Sequence, residues 1–322
     1  MMISMNNLWL GITLIFFLSG SSTKSIASEN LYSKVLPGCV EILVGGRLDG
    51  SGVILDKNGS VLTALHVIRK KQKTYECLSR ELGRLPLKLV ATYRGCDLAL
   101  LSLPKRKQAY PTLPLANKIP EEGSKVFLIG SPIFRHQLLL TGFIARRTPT
   151  FSWYDQAFTE TFPITGMAAP GTSGGPWMND KGEVFGIQVA GVTTDLGHQG
   201  VNSVVGIKSI KELLTAKKDI VVPTIGSAVE ELWGQSPRLL EKLPTEIKGL
   251  LFRQVTSKGV CAKAGIKNED IMLSANGKTY ERIEPFIKYV RSLKIDSELN
   301  LKVCDAKGEN KRQVKITLRP LN

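Results

Sequence analysis

A hydroxyl that attacks a carbonyl needs a base for its proton, an acid to orient that base, and N–H donors for the oxyanion that develops. Ser173 is the best-placed hydroxyl in the sequence. It lies in Pro170-Gly171-Thr172-Ser173-Gly174-Gly175-Pro176, where glycine permits positive φ and close backbone approach. Such a turn can aim the N–H groups of Gly171 and Ser173 at one point. The base must be a histidine, and the chain has 3. His136, after Phe134-Arg135, and His198, in Gly197-His198-Gln199-Gly200, both read as loop residues. His66 lies in Leu62-Thr63-Ala64-Leu65-His66-Val67-Ile68, at the end of a strand and before a polar run, where a scaffold can hold an imidazole firmly. In isolation a histidine there would read as a satisfied core residue; beside Ser173 it reads as the base. Asp97 heads the apolar run Leu98-Ala99-Leu100-Leu101. An acid buried there needs a partner such as an imidazole N–H. No spacing of His and Cys suggests a metal, and no cofactor is implied.

The elements that must hold these residues read as short strands. Val40 to Val44, Val53 to Leu55 and Val61 to Thr63 are strand candidates, the last two joined through Asp56-Lys57-Asn58-Gly59, a hairpin turn signal. Leu87 to Ala91, Leu98 to Leu101, Lys125 to Ile129, Val184 to Ile187 and Val201 to Ile207 continue the pattern. So many short strands argue for an all-β barrel or sandwich. Ser209 to Lys217 reads as a helix with Ser209 as N-cap, and Asp219 to Pro223 as a linker. After it, strands at Leu250 to Phe252, Ile271 to Leu273, Leu299 to Val303 and Val314 to Ile316, with a helix over Pro285 to Leu293, predict a small α+β module.

Composition agrees with a globular protein: 43% hydrophobic and 22% charged residues, with 30 glycines and 16 prolines. The net charge of +15 is spread along the chain, densest at Arg69, Lys70, Lys71 and Lys73. No aromatic residues interleave with that run, so it reads as a solvated loop and no nucleic-acid partner is expected. Leu8 to Leu18 is apolar but short for a membrane span, and Ser25-Ile26-Ala27 fits a small-x-small cleavage site. Residues 1–27 therefore read as a signal peptide, an uncleaved anchor being the alternative, with the mature protein periplasmic or secreted. Export permits disulfides among Cys39, Cys77, Cys96, Cys261 and Cys304. Spacing chooses no pairing, and all five read equally well as buried small apolar residues.

The order His66, Asp97, Ser173 resembles the chymotrypsin-like serine proteases, and the flanking motifs resemble their HtrA/Deg branch. Gly50-Ser51-Gly52-Val53-Ile54 with Leu62 to Val67 is similar to that family's histidine motif, Cys96 to Leu101 to its aspartate motif, and Gly171 to Pro176 to its serine motif. Val126 to Pro132 and Gly142-Phe143-Ile144 match weaker strand signals. The resemblance implies two six-stranded antiparallel barrels over 28–219, then a PDZ-like α+β domain over 220–322. Cys261 to Ile271 is similar to the PDZ segment bearing a helix end and a Gly-Asp turn. It implies a peptide groove beside the Pro285 to Leu293 helix, a carboxylate-binding loop near Ile225-Gly226-Ser227-Ala228, and a specificity-pocket floor near Met167.

Two residues depart from the pattern. Thr172 stands where the family commonly has Asn and trypsin-like digestive enzymes have Asp, so the zymogen ion pair to a new N-terminus cannot form. Glu269 stands where the PDZ turn usually has Gly. The expected function is an exported serine endopeptidase acting on unfolded polypeptides, with peptide ligands for the PDZ-like module and a homo-oligomer among its expected assemblies. The rival expectation is a protease-fold scaffold, weak or idle in catalysis, that binds proteins or peptides.

Overall fold

The computed structural model describes residues 26–68, 74–195 and 197–321, with side chains from residue 31 onward. The leader from Leu8 to Leu18 and the basic run at Arg69, Lys70, Lys71 and Lys73 lie outside the described residues. Among those described, no helix is long and apolar enough to cross a membrane. Helix α1 (Ile26–Val35) opens the described residues, so the expected cleavage point at Ala27 falls in its first turn. Its Leu31 and Val35 are buried, and its Tyr32 hydroxyl donates to the Gln137 carbonyl at 3.0 Å.

The first barrel consists of β1 (Cys39–Val44), β2 (Arg47–Ile54), β3 (Ser60–Ala64), β4 (Tyr75–Ser79), β5 (Gly83–Tyr93) and β6 (Leu98–Ser102), closed in the order β1-β2-β3-β6-β5-β4. Its interior is branched and aliphatic: Ile42, Ile54, Leu62, Leu98, Leu100 and Leu101 are essentially inaccessible. Closure leaves no edge, which suits a strand such as β1, buried on every residue. The turn α2 (Leu65–Ile68) follows β3 directly. The Asn58-Gly59 hairpin forms as expected, with Asp56 Oδ1 accepting from the Asn58 and Ser60 amides.

The second barrel uses β7 (Lys125–Gly130), β8 (Leu138–Ile144), β9 (Thr150–Tyr154), β10 (Ala157–Gly166), β11 (Pro176–Met178), β12 (Val184–Thr194) and β13 (Gly197–Gly206). Six of them close through the β13–β10 pairing in the order β7-β8-β10-β13-β12-β11. The seventh, β9, pairs with the outer half of β10, from Ala157↔Tyr154 to Thr161↔Thr150. Helix α3 (Ile207–Ala216) then crosses back over the first barrel, with Ile210 and Leu213 buried. Its N-cap is Gly206, three residues earlier than the expected N-cap Ser209. Ser209 instead faces inward and accepts from the Cys96 thiol at 3.4 Å.

The remaining residues form β14 (Pro223–Thr224), β15 (Ala228–Glu231), α4 (Pro237–Leu240), β16 (Leu250–Arg253), α5 (Val260–Lys263), β17 (Ile271–Ala275), α6 (Ile283–Ser292), β18 (Glu298–Cys304), β19 (Arg312–Thr317) and β20 (Arg319–Pro320). A five-stranded antiparallel sheet in the order β15 to β19 is covered by α6 through Phe286, Ile287 and Val290. Glu269 has φ +72°, so it adopts the left-handed geometry a glycine would supply, and its side chain pairs with Arg253 at 2.9 Å. The turn survives the substitution.

This module is docked on the barrels. Phe151 of β9 and Phe158 of β10 share one apolar core with Ile225, Val229, Phe286, Ile287 and Val290. Arg291 on α6 donates to the carbonyls of Gly95 and Phe158, each at 2.7 Å, and to Glu160 at 3.1 Å. All five cysteines are free thiols in buried positions, so the second expectation for them, small apolar core residues, is the one met.

Candidate active site

Each of the three expected residues leaves the end of an apolar element. His66 is the second residue of α2, just beyond β3, whose Ala64 pairs with Leu98 of β6. Asp97 occupies the corner before β6 in a left-handed conformation, φ +52°, which Asp tolerates better than most residues. That conformation lets it grip the His66 turn three times. Its carbonyl accepts from the Leu65 amide at 2.8 Å, Oδ1 accepts from the His66 amide at 2.9 Å, and Oδ2 lies 2.6 Å from His66 Nδ1. With Asp97 ionised, Nδ1 carries the hydrogen and Nε2 presents its lone pair. Asp97 is 7% exposed; a buried carboxylate is tolerable because the His66 amide and the His66 ring N–H both reach it.

Ser173 lies on the turn between β10 and β11, and its carbonyl accepts from the Ser51 amide of β2 at 2.8 Å. Two glycines make this approach feasible. A Cβ on Gly174, at φ +87°, would sit 2.1 Å from the Ser51 carbonyl oxygen. One on Gly171, at φ +101°, would sit 2.3 Å from the Ser131 carbonyl oxygen. Gly50 is in turn wedged between Val67, the neighbour of His66, and the Ser173 carbonyl. The serine turn and the histidine turn are thus packed across the cleft between the two barrels. The Ser173 hydroxyl forms no hydrogen bond among the described residues, His66 included; catalytic hydrogen bonds of this kind often tighten only when substrate docks.

The amides around Ser173 divide cleanly. Thr172, Gly174 and Gly175 donate their N–H groups to Ala169, Gln188 and Thr172 carbonyls at 3.2, 2.7 and 2.9 Å. The N–H groups of Gly171 and Ser173 donate to nothing among the described residues. They are the pair expected to receive an oxyanion. Thr172 is buried, and its hydroxyl donates to the Ala169 carbonyl at 2.8 Å, so the turn is fastened locally without a carboxylate at that position.

The other expected sites are less enclosed. Met167 is 64% exposed rather than buried beneath a pocket. Nearby, Asn202 donates to the Gly166 carbonyl at 2.8 Å and meets His198 Nε2 at 3.2 Å, while His198 Nδ1 accepts from the Gly200 amide. His198 is therefore occupied within its own hairpin. His136 sits against Glu41, far from the imidazole pairing of His66. Ile225 and Ser227 are buried, Gly226 has φ +65° with open space where a Cβ would be, and Ala228 begins the edge strand β15. Among the described residues, no group of three or more His, Cys, Asp or Glu could hold a metal ion.

Several residues around the site carried no signal in the sequence. Tyr154, at the tip of the β9–β10 hairpin, places its ring edge-on to His66 with centroids 6.0 Å apart. Ser51 was visible only as part of a Gly-Ser-Gly motif, yet its hydroxyl donates to the Gly171 carbonyl at 2.8 Å. An apolar cleft of about 330 Å³, lined by Leu48, Ile133, Phe134 and Gly171 among others, opens beside the serine turn.

Residues 50–187 match the family model of the trypsin-like peptidase domain. The chain is 26% identical over 276 residues to a probable periplasmic serine endoprotease DegP-like of Pseudomonas fulva (strain 12-X), covering 84% of this chain and 56% of that one. It is 30% identical over 276 residues to the DegP-like protein of Pseudomonas fluorescens, covering 81% and 54%. It is 25% identical over 306 residues to Protease Do-like 1, chloroplastic, of Arabidopsis thaliana, covering 87% and 66%. The chain thus spans between about half and two thirds of these relatives' lengths. In fold it superposes on the HtrA-type protease AlgW with tripeptide at a TM-score of 0.62 and 20% identity, over 91% of this chain and 97% of the other. The serine endoprotease from Yersinia pestis superposes at 0.62 and 20%, over 91% and 98%.

Proposed function

We propose that this chain is a member of the HtrA-type branch of the trypsin-like peptidases, a serine endopeptidase working through His66, Asp97 and Ser173. The observation that carries the reading is the His66–Asp97 pair, with contact at 2.6 Å, packed against a serine turn whose Gly171 and Ser173 amides have no acceptor among the described residues. Ser173 attacks a peptide carbonyl while His66 Nε2 takes its proton. Asp97 holds the Nδ1–H tautomer and stabilises the imidazolium. The two amides receive the oxyanion, His66 protonates the leaving amine, and water then releases the acyl group by the same steps in reverse. Each oxyanion donor is worth about 3–4 kcal/mol of barrier.

The substrate class is unfolded or partly folded polypeptide. Met167, six residues before the nucleophile and without a carboxylate at that position, favours an apolar side chain before the scissile bond. Residues 220–322 act as a PDZ-like module that takes an extended peptide along the edge of β15, with its carboxylate at Ile225, Gly226, Ser227 and Ala228. Support for that placement is that β15 pairs with β16 alone among the described strands. The protein works in the periplasm or outside the cell, in keeping with the names of its bacterial relatives, and a homo-oligomer is part of the same reading.

The decisive experiment compares wild type and Ser173→Ala on unfolded casein, alongside fluorophosphonate labelling with and without added peptide. Wild type should hydrolyse and label, and the variant should do neither. Undiminished proteolysis by Ser173→Ala overturns the assignment. A second reading, a scaffold of the same fold that binds without cutting, draws on the unformed Ser173–His66 hydrogen bond and on Thr172. It requires that the wild type stay unlabelled under both conditions.

A further inference from the structure

Glu41 is a carboxylate in the middle of β1, at 3% exposure, in a strand otherwise made of apolar residues. A buried charge of this kind demands several partners. It has two, and both come from the loop between β7 and β8. Ser131 Oγ donates to Glu41 Oε1 at 2.5 Å, and His136 Nδ1 lies 2.8 Å from the same oxygen and 3.0 Å from Oε2. The Gln137 amide donates to Ser131 Oγ at 3.0 Å, which closes the loop over the carboxylate.

The loop so anchored is backbone that needs holding. Ile133, Phe134 and Gln137 have φ of +46°, +59° and +49°. For a β-branched residue such as Ile133 this is a genuine outlier, and conformations of this sort persist only where the surroundings over-determine them. The same loop fastens the serine turn at two points. The Ile133 amide donates to the Pro170 carbonyl at 2.8 Å. The Ser131 amide donates to Ser51 Oγ at 3.1 Å, and Ser51 Oγ donates to the Gly171 carbonyl at 2.8 Å.

These two contacts pin the peptide planes on either side of the Gly171 α-carbon. The peptide unit is planar and trans, so fixing the Pro170 carbonyl fixes the opposite direction for the Gly171 N–H. Gly171 itself, with φ +101°, could otherwise rotate freely between conformations. We propose that Glu41 is a positioning residue for the oxyanion cradle: its buried carboxylate anchors the 131–137 loop, and that loop, through Ile133 and the Ser131–Ser51 relay, aims the Gly171 amide. The inference rests on the peptidase reading above, and its test separates the two.

Three variants decide it: Glu41→Leu, Glu41→Gln and Ser51→Ala. Steady-state hydrolysis of an unfolded peptide substrate is measured with hydrogen–deuterium exchange across residues 168–175 and across the His66 turn. Glu41→Leu should lower kcat about 10–100-fold, within the range known for small misplacements in an active site, and leave KM within about 2-fold. Exchange should rise across 168–175 and stay unchanged at the His66 turn. Glu41→Gln keeps an acceptor for Ser131 and His136 and should recover kcat to within about 3-fold of wild type, one ordinary hydrogen bond's worth. If Glu41→Leu fails to fold, Ser51→Ala carries the test with an expected loss of about 10-fold in kcat by the same hydrogen-bond reasoning. Wild-type kcat and wild-type exchange in a folded variant, even one of lowered melting temperature, overturn the relay. A wild type inert towards substrate and fluorophosphonate sinks the peptidase reading instead, and the exchange comparison still decides whether Glu41 orders the turn.

Discussion

Asp97 shows how much of the site depends on one residue. It hydrogen-bonds the His66 turn through its carbonyl and both carboxylate oxygens. Replacing it with Asn keeps the size and one acceptor but presents an N–H to Nδ1. The imidazole then takes the opposite tautomer and cannot accept the serine proton. Asp97→Asn should therefore lower kcat by about 10⁴-fold with little change in KM, as measured on a short peptide ester or amide; a loss below 10-fold would show that His66 is oriented by something else. These three candidates were legible because the chemistry is strict about type. With 3 histidines in the chain, only one lies within an apolar run. Glu41 was not legible. A glutamate in an apolar strand signals burial, but its partners Ser131 and His136 lie 90 and 95 residues away and no local pattern links them.

Among the elements, the β9–β10 hairpin joins the two parts of the chain. Its tip meets His66 through Tyr154, Trp153 donates to Gln254 at 2.8 Å, and Phe151 stacks beneath the Arg291 guanidinium at 4.9 Å. Arg291, with a side chain 11% exposed, ties α6 to β10 and to the Gly95 carbonyl, two residues from Asp97. Removing it leaves two carbonyls and Glu160 without that partner. Arg291→Leu should destabilise the protein by about 2–3 kcal/mol in urea unfolding, less than a fully buried pair because Glu160 is a third exposed. An unchanged midpoint and slope would mean the module is held by apolar contacts alone. This hairpin escaped the sequence reading for a specific reason. Its turn is Asp155-Gln156, both at positive φ (+47° and +61°), where Asn-Gly is the usual signal. Cross-strand pairing holds those residues in the left-handed region, and Arg94 donates to the Asp155 carbonyl at 2.9 Å.

Across the whole molecule, the five thiols are distributed among the barrels and the C-terminal module, and each is buried. Burial raises them all: Cys77 and Cys96 to about 11, Cys261 to about 12, with Cys39 and Cys304 also above the ordinary thiol value. The thiolate is the reactive form, and a raised pKa keeps each group protonated at neutral to mildly alkaline pH. A disulfide-exchange reagent at pH 8 should find no accessible thiol in the folded protein and all five in denaturant. Rapid reaction of two or more before unfolding would contradict the packing described.

The chain's local chemistry determined a good deal without help from tertiary structure. Apolar runs punctuated by Asn-Gly and other turns specified strands at Val40 to Val44, Val53 to Leu55, Val61 to Thr63, Leu87 to Ala91 and Leu98 to Leu101, because strand and turn preferences act over a few residues; the mixed sequence of β4 (Tyr75–Ser79) carried no such run. The reactive residue types were specified for the same reason, since only certain side chains can attack, accept a proton or orient a base. Closure of the barrels, the docking of α6 on β10 and the contacts of the 131–137 loop with Glu41 and with the serine turn were decided by the tertiary structure. Those contacts join residues far apart in sequence, and their energies come from burial and from hydrogen bonds whose partners exist only once the chain has folded.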